Sequence, residues 1–129
     1  MADGLITIPS THSVKDTIDR LEAAVKAKGL TVFARIDHAK GARDVQMDLR
    51  PTELLIFGNA RGGTPLMQAQ QTAGIDLPLK ALAWEDADGR VWLGYNDPEW
   101  IAARHAIASP VAQTLAGALA ALTKTAAEV

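Results

Sequence analysis

Two runs of alternating apolar residues, Leu79 to Glu85 and Arg90 to Tyr95, are separated only by Asp86-Ala87-Asp88-Gly89. No other feature constrains the fold as much. Asp favours the start of a turn, and Gly supplies the positive φ that a tight hairpin needs. Strands joined this closely are antiparallel, because a parallel crossover takes a dozen residues or more. An all-parallel sheet is excluded, and any helices must come before or after this pair.

The flanking segments supply those helices. Leu5 to Ile8 alternates and stops at Pro9, which reads as a strand. Ser13 follows as an N-cap, and Val14, Ile18, Leu21 and Val25 line one helical face. Lys26 and Lys28 suit the C-terminal end of that helix, and Gly29 ends it. Leu30 to His38 reads as a second strand, and Ala39 to Asp48 as a loop or short helix. Thr52 to Gly58 is a third strand. A helix is expected after Thr64, ending before Gly74. Asp97-Pro98-Glu99 and Ser109-Pro110 open two more, the last Ala-rich with Val111, Leu115, Leu119 and Leu122 on one stripe.

This order predicts an α+β fold, a mostly antiparallel sheet with helices on one face. Residues 1–108 form the domain, and residues 109–129 a C-terminal helix packed on it or on a partner chain. Val32, Ala34, Ile36, Leu54, Ile56, Val91 and Leu93 are expected to face the helices. Phe33, Leu55, Phe57, Leu82, Trp84 and Trp92 then form a second apolar face. Monomers rarely expose so large an apolar patch. The sequence therefore points to a homodimer through the face carrying Phe57, Trp84 and Trp92, or to the last helix folding over it.

Composition narrows the function classes. The chain has 129 residues, a formal charge of -2 and no cysteine. One core suffices at this length, and disulfides, thiol chemistry and Cys-ligated metals are excluded. Basic residues from Arg35 to Arg61 alternate with acids, so no nucleic-acid footprint is expected. No run is long and apolar enough for a bilayer, and the N-terminus lacks a signal-peptide pattern. A cytoplasmic protein is the expectation. His12, His38 and His105 show no local ligand spacing, so no metal or cofactor is expected.

Two clusters carry candidate chemistry. Asn59-Ala60-Arg61-Gly62-Gly63-Thr64 reads as a Gly-rich loop whose amides, with Arg61, would hold a small anion. The plainer reading is a tight turn with a helix cap. Asp37-His38 ends a strand. His38 would serve as acid or base if a partner such as Glu53, Asp76 or His105 met it, and otherwise is a satisfied buried histidine. Asp76 has an ordinary turn role before Pro78. Lys80, beside Leu82 and Trp84, is a further candidate ligand contact.

The segments IDHAKGA from Ile36, LRPTELLIFGN from Leu49, GTPLM from Gly63, DLPLK from Asp76 and YNDP from Tyr95 together resemble the DUF302 family, a domain of unknown function. The resemblance covers roughly residues 5–107. It implies a fold of the TATA-box-binding-protein-like class, β-α-β(4)-α, usually homodimeric, with the Ala-rich tail as an addition. It brings no reaction and no ligand. Function is therefore open between a binding or sensing domain for a small anion, an acid–base enzyme using His38, and a structural or interaction module.

Overall fold

The computed structural model describes residues 2–128. Five strands and five helices follow in the order β1 (Leu5–Ser10), α1 (Val14–Ala27), β2 (Thr31–Asp37), α2 (His38–Asp44), β3 (Thr52–Gly58), α3 (Ala60–Ala69), β4 (Leu79–Glu85), β5 (Val91–Asn96), α4 (Pro98–Arg104) and α5 (Pro110–Ala127). A 3₁₀ turn, Gln71–Ile75, leads from α3 towards β4. The sheet runs β1-β5-β4-β3-β2, and every pair is antiparallel. The α+β class follows, as the hairpin requires.

Some boundaries moved for local reasons. Strand β1 continues through Pro9, which pairs with the Trp92 position. An edge strand tolerates this, because a proline there forfeits no ladder bond on its solvent side. Helix α3 begins at Ala60 rather than after Thr64. Asn59 is its cap, accepting the Gly62 N–H at 2.6 Å. Asn is a strong N-cap, and it claims the helix start before Thr64 can. Residues 39–48, open between loop and helix in the sequence, hold α2, which also takes His38 out of the expected strand because Asp37 accepts the Lys40 N–H as its cap.

The main core lies on one side of the sheet. Val14, Ile18, Leu21 and Val25 of α1 and Leu119, Leu122 and Ala126 of α5 pack on Leu55, Phe57, Ala81, Ala83, Leu93 and Tyr95. Small Ala81 and Ala83 let the helices approach closely. This corrects the expected faces. Leu55 and Phe57 are fully buried beneath the helices, so Phe57 belongs to no open surface. Their neighbours Leu54 and Ile56 point the other way, with Leu82, Trp84 and Trp92, since alternate residues of a strand take opposite faces. Periodicity tells which residues of one strand share a face; it does not tell which face of the next strand matches.

The open face is half-buried by its own side chains. Trp84 pairs directly with Trp92. The Trp84 ring lies over Gly94, where an added Cβ would come within 3.0 Å of it. Helix α5 lies on the opposite side against α1, so it is not the lid that the sequence allowed.

The C-terminal helix is integral to the domain. Its last carbonyls, at Thr125, Ala126 and Glu128, accept from the Arg20 guanidinium of α1 at 2.9–3.0 Å. The Thr11 N–H donates to the Ala127 carbonyl at 3.0 Å. A cation at a helix C-terminus satisfies carbonyls that have no partner within the helix.

Candidate functional site

The first turn of α3 reads Ala60-Arg61-Gly62-Gly63, and it faces the middle of Ala-rich α5. Small residues on both sides leave room between the two helices. A cleft of about 750 Å³ fills that room. Met67 of α3 and Leu115, Ala118 and Leu119 of α5 form its sides, and Leu30, Leu77 and Leu79 are among the residues that close it off. Gly62 sits at the tightest point of the helix contact. A Cβ there would sit 3.1 Å from Leu115 Cδ2 and 3.1 Å from Asn59 Oδ1. Gly63 has more space, its nearest neighbours being Leu77 and Met67 at 3.7 Å.

Strand β2 contributes through a bulge. Val32 pairs with Phe57 and Ala34 with Ile56, so Phe33 is an extra residue without a partner. Bulges bend a strand and re-aim a side chain. Here Phe33, expected on the second sheet face, lines the cleft and is 55% exposed at its edge. Beyond the bulge, Arg35 lies on the helix side and Ala34 and Ile36 on the open side.

The walls are apolar. Among the described lining residues only Asn59, Arg61 and Thr114 carry polar side chains. The Asn59 amide oxygen is committed to Gly62, and the Gly63 N–H donates to the Asn59 carbonyl at 3.1 Å. Both glycine amides that would have held an anion are thus spent inside the helix. Arg61, Asn59 and Gly63 do reach the cleft. Thr64 does not line it, being exposed in the body of α3. Lys80 is also elsewhere, on the open sheet face opposite Ile56.

The acid–base candidates do not converge. His38 is the first residue of α2 and is exposed. Among the described residues no hydrogen bond joins it to a carboxylate. Asp37 caps α2. Glu53 accepts from Arg35 Nε at 2.9 Å, and the same guanidinium reaches Asp19 at 2.6 Å. The bond from Lys15, and then the one from Arg35, holds the Asp19 carboxyl below its ordinary range. None of Asp37, His38, Glu53 and Asp76 lines the cleft.

The histidine that does meet a carboxylate is His105. Its Nε2 lies 2.6 Å from Asp76 Oδ2, and its Nδ1 lies 2.9 Å from the Thr72 hydroxyl. Arg104 Nη1 donates to both Asp76 oxygens at 2.8 Å. Both the Asp76 and the His105 side chain are about nine-tenths buried. The cluster ties the end of α4 to the 3₁₀ turn and the entry to β4. It stands outside the lining of the large cleft and reads as a structural latch. Sequence reasoning missed it because its members, 72, 76, 104 and 105, meet only through the fold. Asp76 lies just past the 3₁₀ turn, which periodicity did not resolve, and His105 just past the last turn of α4, whose start but not whose end was marked in the sequence.

Comparison with known proteins fits this architecture. The DUF302 profile, a domain of unknown function, matches residues 6–122. The chain belongs to the DUF302 family. The match runs well into α5, so the Ala-rich helix is part of the family domain rather than an addition to it. An uncharacterised DUF302 protein from Bacillus stearothermophilus has the same fold, with a TM-score of 0.84 at 20% identity over 97% of this chain and 99% of that one. The chain is also 54% identical over 104 residues to a Brucella suis protein named fluoride-specific ion channel FluC 1, covering 81% of this chain and 41% of that one. A Brucella abortus protein of the same name is equally similar, with 38% of its length covered. This DUF302 chain therefore spans about two fifths of the curated relatives it matches. Among its described residues no helix is long and apolar enough to cross a membrane.

Proposed function

We propose that this DUF302 domain is a small-molecule binding module whose site is the cleft between α3 and α5. The supporting observation is the cleft itself, about 750 Å³ with apolar walls and a few polar groups. That is the size and character of ordinary ligand sites. The sequence favoured a small anionic ligand; the apolar walls favour one with a substantial apolar body. A fluorescent apolar dye should bind the protein, and Ala118→Trp, which fills the cleft from α5, should abolish that binding while leaving the fold intact. Equal dye binding by the variant would sink the reading.

We further propose that the module works as a homodimer through the open sheet face around Trp84 and Trp92. Support comes from the cluster of half-buried apolar side chains there, Leu54, Ile56, Leu82, Trp84 and Trp92, which a second copy of the chain would cover.

A second reading has a specific observation behind it. The Brucella relatives carry this segment in chains named as fluoride channels. On that basis the domain acts beside a fluoride channel, as a regulatory companion rather than as the conducting part. Fluoride itself is a poor match to the cleft, because a small, strongly hydrated anion loses its water among apolar walls without gaining donors. Co-expression with a fluoride channel from the same source tests this: fluoride efflux should change when the domain is removed. Unchanged efflux would count against it.

A further inference from the structure

We propose that the cleft takes an amphipathic carboxylate, with its apolar body between α3 and α5 and its head group at Arg61. The proposal rests on the ligand-binding reading above and adds the chemical class of the ligand. Arg61 supplies the one charged side chain on the described walls, and no Asp or Glu lines them. Four other guanidiniums are engaged, Arg20 with α5 carbonyls, Arg35 with Glu53 and Asp19, Arg50 with the Glu85 carbonyl and Arg104 with Asp76, and the remaining two, Arg43 and Arg90, do not line the cleft. Arg61 has no hydrogen bond or ion pair among the described residues, and it is exposed at the cleft's polar end.

One free guanidinium beside an apolar cavity defines a charge match. A planar guanidinium fork fits a carboxylate with two parallel hydrogen bonds. A single cation balances a single negative charge. A phosphate dianion would bring a second charge next to apolar walls with nothing to neutralise it. The positive end of the α3 dipole lies on the same side and adds to the attraction. Phe33 marks the other end of the requirement. The bulge turns its ring to the cleft, where it can cover an apolar body that a small hydrophilic anion would lack.

Decanoate and decanol, which share an apolar chain and differ in the head, separate the two claims. Binding is measured by calorimetry, and its place by amide chemical shifts at Gly63, Met67 and Ala118. Decanoate should bind the wild type about tenfold tighter than decanol, as a charge-assisted pair at a partly exposed site would give. The difference should shrink with added salt. Arg61→Ala should bring decanoate down to the decanol level and leave decanol unchanged, while Arg61→Lys keeps part of the preference. Ala118→Trp should abolish both. Equal affinities, or a decanoate preference that survives Arg61→Ala, would overturn the carboxylate assignment and leave the cleft as an apolar site. No binding of either compound, or shifts away from those amides, would overturn both claims.

Discussion

The indole nitrogen of Trp92 donates to Asp86 Oδ2 across 2.9 Å, linking strand β5 to the turn that makes it a hairpin. The other Asp86 oxygen accepts the N–H groups of Asp88 and Arg90. The Trp92 bond, and then the Arg90 amide, hold the Asp86 carboxyl below its ordinary value of 3.8. A carboxyl depressed on folding contributes stability that is complete above its unfolded value and lost as pH falls through its folded one. Wild-type melting temperature should therefore drop as pH falls below about 4, and Asp86→Asn should drop less over the same window. Parallel curves for the two proteins would show that this carboxylate does not contribute.

The Asp76 latch should be unequal in its parts. Asp76→Ala strands both Arg104 and His105, whereas His105→Ala leaves the Arg104 pair in place. A buried hydrogen-bonded group left alone costs about 1–3 kcal/mol, so Asp76→Ala should lose that much and His105→Ala clearly less. Urea denaturation measures both. Equal losses would mean that the histidine, not the carboxylate, holds the cluster.

Two aromatic substitutions separate core from interface. Phe57→Ala removes a fully buried ring and should cost about 3–5 kcal/mol in stability at any protein concentration. Trp84→Glu lies on the open sheet face and should instead change the oligomeric state seen by sedimentation. An unchanged, stable dimer in Trp84→Glu would remove this face from consideration as the interface.

The neighbouring glycines of α3 should differ. Gly62→Ala needs Leu115 or Asn59 to give by a few tenths of an ångström, which offsets the helix propensity gained, so it should be clearly less stable than Gly63→Ala. Gly63→Ala meets only ordinary contacts, so it should match or slightly exceed wild-type stability, because alanine removes a flexible residue from the helix. Thermal denaturation of the two variants tests the order; a larger loss at Gly63 would contradict the close approach of α3 to α5 at Gly62.

The strands and the antiparallel order were legible because a hairpin signal and period-two alternation are local. So were the caps at Ser13, Asp97 and Ser109, each of which accepts a backbone N–H at its helix start. What escaped was anything set by relative phase. Leu55 and Phe57 look interchangeable with Leu54 and Ile56 until the helices are placed, and one extra residue at Phe33 reverses the reading of half of β2. Asn59 and Thr64 compete for one helix start, and a propensity argument that weighed only the later candidate turned a helical turn into a loop. Of the expected ligand residues, Asn59, Arg61 and Gly63 meet at the cleft, because they adjoin one another in the chain. His38, Glu53 and Asp76 do not meet, because nothing local binds them together.

The bulge in β2 makes Phe33 separable from the rest of the strand. Since Val32 and Ala34 already pair with consecutive residues of β3, excising Phe33 would leave every remaining partner in register and both sheet faces as they are. In most strands a one-residue deletion scrambles inside and outside; here the chain carries a spare position whose loss would alter the cleft and little else. The lining of this cleft can therefore change by gain or loss of a single codon, with the scaffold untouched.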